Sequence, residues 1–87
     1  MNTFMLVGKA KEINEKVITL AVRRSYKNIN GEYDEDLIPI LLWDFYRNNY
    51  MHEGDLVAVR GTIHVKDNQI QLFAEKISFL AQKREEE

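Results

Sequence analysis

The chain has 87 residues, no cysteine, and 12 Lys and Arg against 14 Asp and Glu, for a net charge of −2. That length suits one domain with a thin margin of stability. It excludes disulfide staples and thiolate chemistry, and it shows no overall basic excess of the kind a general polyanion binder carries.

The apolar run near the start, "MNTFMLVGKAKE", is too short for a signal-peptide core or a membrane span. Together with the missing cysteines it points to a cytoplasmic protein. The charges are unevenly placed. Glu32, Asp34, Glu35 and Asp36 form one acidic block and Glu85, Glu86 and Glu87 another, and outside these blocks Lys and Arg outnumber Asp and Glu. Local patches, not the sum, decide anion binding.

In chain order the signals are mostly strands. "FMLVGKA" is apolar, with Gly8 suggesting a bend or bulge. "EINEK" reads as a tight turn around Asn14 and Glu15. "VITLAVRR" alternates, with Ile18, Leu20 and Val22 on one face and Thr19, Ala21 and Arg23 on the other. "KNINGEYDED" reads as a polar loop holding the Asn30-Gly31 hairpin signal. "LIPILLW" is apolar on both faces: Ile38, Ile40 and Leu42 form one row, and Leu37, Pro39, Leu41 and Trp43 the other. Pro39 cannot donate to a ladder, so it belongs at an edge, a bulge or an unpaired stretch. "DFYRNNYMHEGD" reads as one short helix, with Asp44 as N-cap and Gly54 as stop. "LVAVRGTIHV" is a strand that Gly61 should bend, "KDN" a turn, and "QIQLFAEKISFL" the last strand.

Strands this few need closure to hide their edges. The order predicts an all-β protein with one short helix: an OB-fold, a five-stranded Greek-key barrel with the helix between strands 3 and 4. Residues 1–80 form the domain, and residues 81–87 a charged, flexible tail.

Four segments, "NTFMLVGKA", "LAVRRSYKNINGEYDEDLIPILLW", "GDLVAVRGTI" and "AEKISFL", together resemble the bacterial and phage single-stranded DNA-binding protein family, in that family's order. The resemblance implies an OB barrel, non-catalytic binding of single-stranded DNA, and a homo-oligomer, dimer or tetramer. The chain departs from the family in being minimal. The first hairpin, the segment between Trp43 and Gly54, and the hairpin at Lys66-Asp67-Asn68 are all short. The acidic tail with an apolar tip is replaced by "KREEE".

Single-stranded nucleic acid is held by aromatic stacking and by phosphate neutralisation. If Ile38, Ile40 and Leu42 fill the barrel, Leu37, Leu41 and Trp43 lie outside, where such a row needs a cover. From the pattern alone Trp43 fits core or a subunit contact better than a ligand contact, since Trp is buried on average. The resemblance implies the reverse: Trp43 and Tyr26 match base-stacking positions, as does Leu37, which is not aromatic. Arg23, Arg24 and Lys27 interleave with Tyr26 as phosphate contacts. Arg60 on the row of Thr62 and His64, Lys9 beside Gly8, and Lys66 at a hairpin tip are further phosphate candidates. Phe73 reads equally as stacking or core.

His52 and His64 have no ligand spacing around them, so no metal or cofactor is expected. Nothing resembles a nucleophile with its base, or a phosphate-cradling Gly loop. No small-molecule substrate and no membrane partner are indicated. The leading function is therefore non-catalytic, largely sequence-independent binding of single-stranded DNA in replication, recombination or repair. The alternative is an OB-fold assembly module of a primosome-like complex, with Leu37, Leu41 and Trp43 as its interface. RNA binding of the cold-shock type ranks below both.

Overall fold

The computed structural model describes residues 1–43 and 51–82. Five strands are present: β1 (Phe4–Ile13), β2 (Val17–Lys27), β3 (Tyr33–Leu41), β4 (Leu56–Lys66) and β5 (Gln69–Ala81). They pair as a closed barrel in the order β1-β2-β3-β5-β4, with β4 returning to β1. All pairings are antiparallel except β3 with β5, which join in parallel at Leu41↔Phe73. This is the Greek-key closure expected of an OB-fold.

The expected helix is not seen. Its residues 44–50 lie outside the described ones, and no helix occurs among the described residues. Met51 to Asp55 instead form a turn, with Gly54 at φ +96°. Asp55 is fully buried in that turn. Its carboxylate accepts the His52 backbone N–H (2.9 Å) and its carbonyl accepts the Ala10 N–H (2.9 Å), which seats the start of β4 against β1.

The expected alternation builds the core. Ile18 and Leu20 of β2, Ile40 of β3, and Val57 and Val59 of β4 are fully buried, with Phe4, Leu42, Met51 and Ala74 around them. Each buried Ile, Leu or Val side chain contributes about 1.5–3 kcal/mol. Ala21 departs from its row and is buried. The cause is Gly8, where a Cβ would lie 2.3 Å from the Ala21 carbonyl oxygen. Gly8 thus permits a close strand crossing, and the bulge in β1 falls later, between Ala10 and Glu12. At Gly61 the β4–β5 register does shift, and a Cβ would meet the Phe73 carbonyl oxygen at 1.8 Å. These irregularities let long strands bend around a small barrel.

Three turns are set by local chemistry. Asn14 Oδ1 accepts the N–H groups of Lys16 (2.9 Å) and Val17 (2.8 Å). Asp67 and Asn68 take positive φ values of 53° and 63° in a two-residue hairpin, a conformation Asn and Asp tolerate. Between β2 and β3, Asn28 Oδ1 accepts the N–H groups of Asn30 (2.8 Å) and Glu32 (3.0 Å), while Gly31 takes φ +78°. Asn28 thereby closes the loop early, so Asp34, Glu35 and Asp36, expected in a loop, belong to β3. Pro39 pairs with Thr19 on the β2 side, and β3 meets β5 only at Leu41, which fits an edge position. No helix among the described residues is long and apolar enough to cross a membrane.

Candidate nucleic-acid interface

Alternation along β3 sends Tyr33, Glu35, Leu37, Pro39 and Leu41 outward, and Trp43 continues that row. Leu37 is 63% exposed and Trp43 38% exposed, so neither is core. Trp43 stacks on Phe73 of β5, with ring centroids 4.8 Å apart and planes at 27°. His64 of β4 lies 4.6 Å from Phe73 and 6.5 Å from Trp43. The Thr62 hydroxyl and His64 Nε2 are 3.1 Å apart, which fixes the imidazole. Trp43, just past the end of β3, thus joins rings of β4 and β5 in one aromatic cluster, in which Trp43 and His64 stay partly exposed. The outward row of β4 runs through Arg60, Thr62, His64 and Lys66, and Arg60, His64 and Lys66 are exposed.

At the other end of the row, Arg23 of β2 lies over the Tyr33 ring, its guanidinium carbon 4.1 Å from the centroid. Lys27 Nζ stands 5.8 Å from the same centroid. Tyr26 is 65% exposed. It sits where β2 carries extra residues between Arg23 and Lys27.

Arg24 makes different contacts. Its Nε and Nη2 donate to the two carboxylate oxygens of Asp36 (3.0 and 2.9 Å), and Nη1 lies 3.8 Å from Asp34. The hydrogen bond from Arg24 holds the Asp36 carboxyl below its ordinary range, and the Arg24 pKa is raised in turn. Asn28 Nδ2 also donates to Asp34 (3.0 Å). Asp36 pairs with Val22, a residue of the inner row. Arg24 is therefore spent on the face opposite Arg23. Among the described residues Arg24 forms the only ion pairs, which leaves the charges of Lys9, Arg23, Lys27, Arg60 and Lys66 without one.

The candidates divide accordingly. Trp43 and Phe73 meet directly, and Leu37 lies between them and Arg23 on one outward face. Lys9 pairs with Ala21, which pairs with Leu37, so it borders that face. Arg60 pairs with Met5 and Lys76, farther along the β4 row. Lys66 flanks the Asp67-Asn68 turn rather than occupying its tip. Two residues escaped the sequence reading. His64 was visible only as a member of a polar row, and Tyr33 was hidden in what read as a loop. Among the described residues, no group of three or more His, Cys, Asp or Glu could hold a metal ion.

A small closed barrel carrying an exposed aromatic cluster and a row of unpaired cations has the build of an OB-fold binding module. No family model matches the chain. The single-stranded DNA-binding protein 1 of Clostridium acetobutylicum is 32% identical to it over 98% of both chains. The single-stranded DNA-binding protein B of Bacillus subtilis is 40% identical over 56% of this chain and 46% of its own length. Among solved structures, the dimeric N-terminal domain of the PriB protein from Thermoanaerobacter tencongensis superposes with a TM-score of 0.60. That match covers 93% of this chain and 98% of the other at 20% identity, a likeness of fold. The chain belongs to the single-stranded DNA-binding protein family.

Proposed function

We propose that this protein binds single-stranded DNA without catalysis and largely without regard to sequence, in replication, recombination or repair. The observation that carries this is the half-exposed Trp43–Phe73–His64 cluster on the outward face of a barrel of this family. Trp43 offers a base its open face while Phe73 fixes its other side, so little ordering is lost on binding. Arg23, Lys27, Lys9, Lys66 and Arg60 neutralise phosphates, and Leu37 packs against a base without stacking. Arg24 supports the hairpin instead of contacting phosphate. Residues 1–80 act as the binding domain.

A homo-oligomer fits this reading, because linked copies raise the affinity of a short groove. The Phe4–Gly8 half of β1 pairs with β4 but not with β2, which leaves one backbone edge for a second copy. The fold shared with a dimeric PriB domain favours the same arrangement, and it also supports the second reading, an assembly module. The test is Trp43→Ala, followed by anisotropy with labelled oligo-dT and by light scattering. Loss of DNA affinity with the assembly intact supports DNA binding. Loss of assembly with DNA affinity unchanged supports the second reading and overturns the first.

A further inference from the structure

Tyr33 matched no functional position in the sequence, yet it sits under Arg23 at the far end of the outward row, on a hairpin that projects past the barrel. The geometry points to a second base-stacking station there, built from Tyr33, Arg23 and Lys27, and this inference rests on the DNA-binding reading above. Three observations carry it. The Arg23 guanidinium carbon lies 4.1 Å from the centroid of the Tyr33 ring, and Arg23 is exposed, so the ring braces a guanidinium that a ligand can still reach. A braced guanidinium plane accepts a stacked base, and its ordering is already largely complete before the ligand arrives. Second, Arg23 has no carboxylate partner, although Glu35 is its cross-strand neighbour and Arg24 beside it is fully paired. Third, the Arg24–Asp36 pair on the opposite face and the Asn28–Asp34 contact near the turn brace the hairpin locally.

The surroundings favour a base on the face of the stack, while the charges of Arg23 and Lys27 still serve the phosphates on either side of it. The shallow depression beside the stack is lined by Glu32, Asp34 and Glu35 as well as Arg23, Tyr33 and Asn28. Those carboxylates disfavour a phosphate inside the depression itself, whereas a neutral base there meets the guanidinium plane and the ring beneath it. Tyr33 begins β3 and Trp43 lies two residues past its end, ten residues on, or about 33 Å at the rise of an extended chain. A strand of DNA must therefore be long to occupy both stations.

The test is the affinity of the full chain for oligo-dT of about five and about fifteen nucleotides, the span of OB-fold site sizes. Wild type should gain affinity with length. Tyr33→Ala should bind the short oligomer as wild type does, with the same Trp43 quenching, and should bind the long one roughly tenfold more weakly. Its salt dependence should be unchanged, because no charge is removed. Tyr33→Leu, which keeps apolar bulk on the strand, should show the same loss, and Tyr33→Phe none. Equal affinity of wild type and Tyr33→Ala for the long oligomer overturns the station. So does an equal loss on short and long oligomers. Failure of wild type to bind either oligomer overturns the DNA-binding reading itself, and the station with it.

Discussion

The two ends of the outward row on β3 are built differently. The Trp43 end rests on the barrel: Phe73 and His64 come from β5 and β4, and Ala74, next to Phe73, is fully buried. The Tyr33 end rests on a hairpin of two strands, and its contacts join residues no more than about a dozen positions apart. One end is fixed by tertiary closure and the other by local polar contacts. Similar surface chemistry is thus held with unequal firmness, and substitutions should act differently at the two ends.

The largest expected effect is at the barrel end. Gly61→Ala puts a Cβ 1.8 Å from the Phe73 carbonyl oxygen, which only a backbone shift can relieve. We expect a loss of about 3 kcal/mol or more in chemical denaturation, with collapse of the aromatic cluster. Gly31→Ala at the hairpin end meets nothing within 4 Å and suffers only from its φ of +78°. It should cost about 1–2 kcal/mol at most and leave Trp43 emission unchanged. Equal effects at the two glycines would break the comparison.

A smaller effect separates the adjacent arginines. Arg23→Ala should reduce the slope of log affinity against log salt by about one unit, as expected for a cation withdrawn from the phosphates. Arg24→Ala should leave that slope nearly unchanged, since its charge is already met by Asp36. Arg24→Ala should instead loosen the hairpin, seen as faster amide exchange in residues 24–36 with the core protected.

The smallest effect is acid release of the same brace. Asp36 has its pKa lowered by the hydrogen bond from Arg24. Its contribution is therefore complete above the ordinary carboxylate range and is lost as the pH falls through the lowered value. Between neutral pH and the upper edge of that range the hairpin should not change. Below it, the Arg23–Tyr33 contact should loosen before the barrel does, followed by NMR of the two rings. Melting of the whole chain in one step would count against separate support for the two ends.

The barrel end was half legible in the sequence and the hairpin end scarcely at all. Alternation put Ile18, Leu20, Ile40 and Leu42 inside, and left Leu37, Leu41 and Trp43 outside. Asn30-Gly31 marked the right turn. What joins Trp43 to Phe73 is a single parallel pair, Leu41↔Phe73, between strands remote in sequence, and no local pattern encodes it. His64 reaches the cluster through the same closure. Tyr33 was hidden because the acidic block read as a solvated loop, when Arg24 and Asn28 hold it as strand. Arg23 and Arg24 are equivalent as letters. Only pairing distinguishes them, and the irregularity between Arg23 and Lys27 keeps simple alternation from extending to the hairpin tip.

Trp43 is the residue proposed to meet single-stranded DNA. It is the only tryptophan in the chain, so its emission reports on one position. Titration with oligo-dT at low salt, repeated at rising salt, tests the claim most directly. Saturable quenching is expected, with an affinity that falls steadily with salt. Emission unchanged at saturating oligomer, with no shift on a gel at low salt, would contradict it.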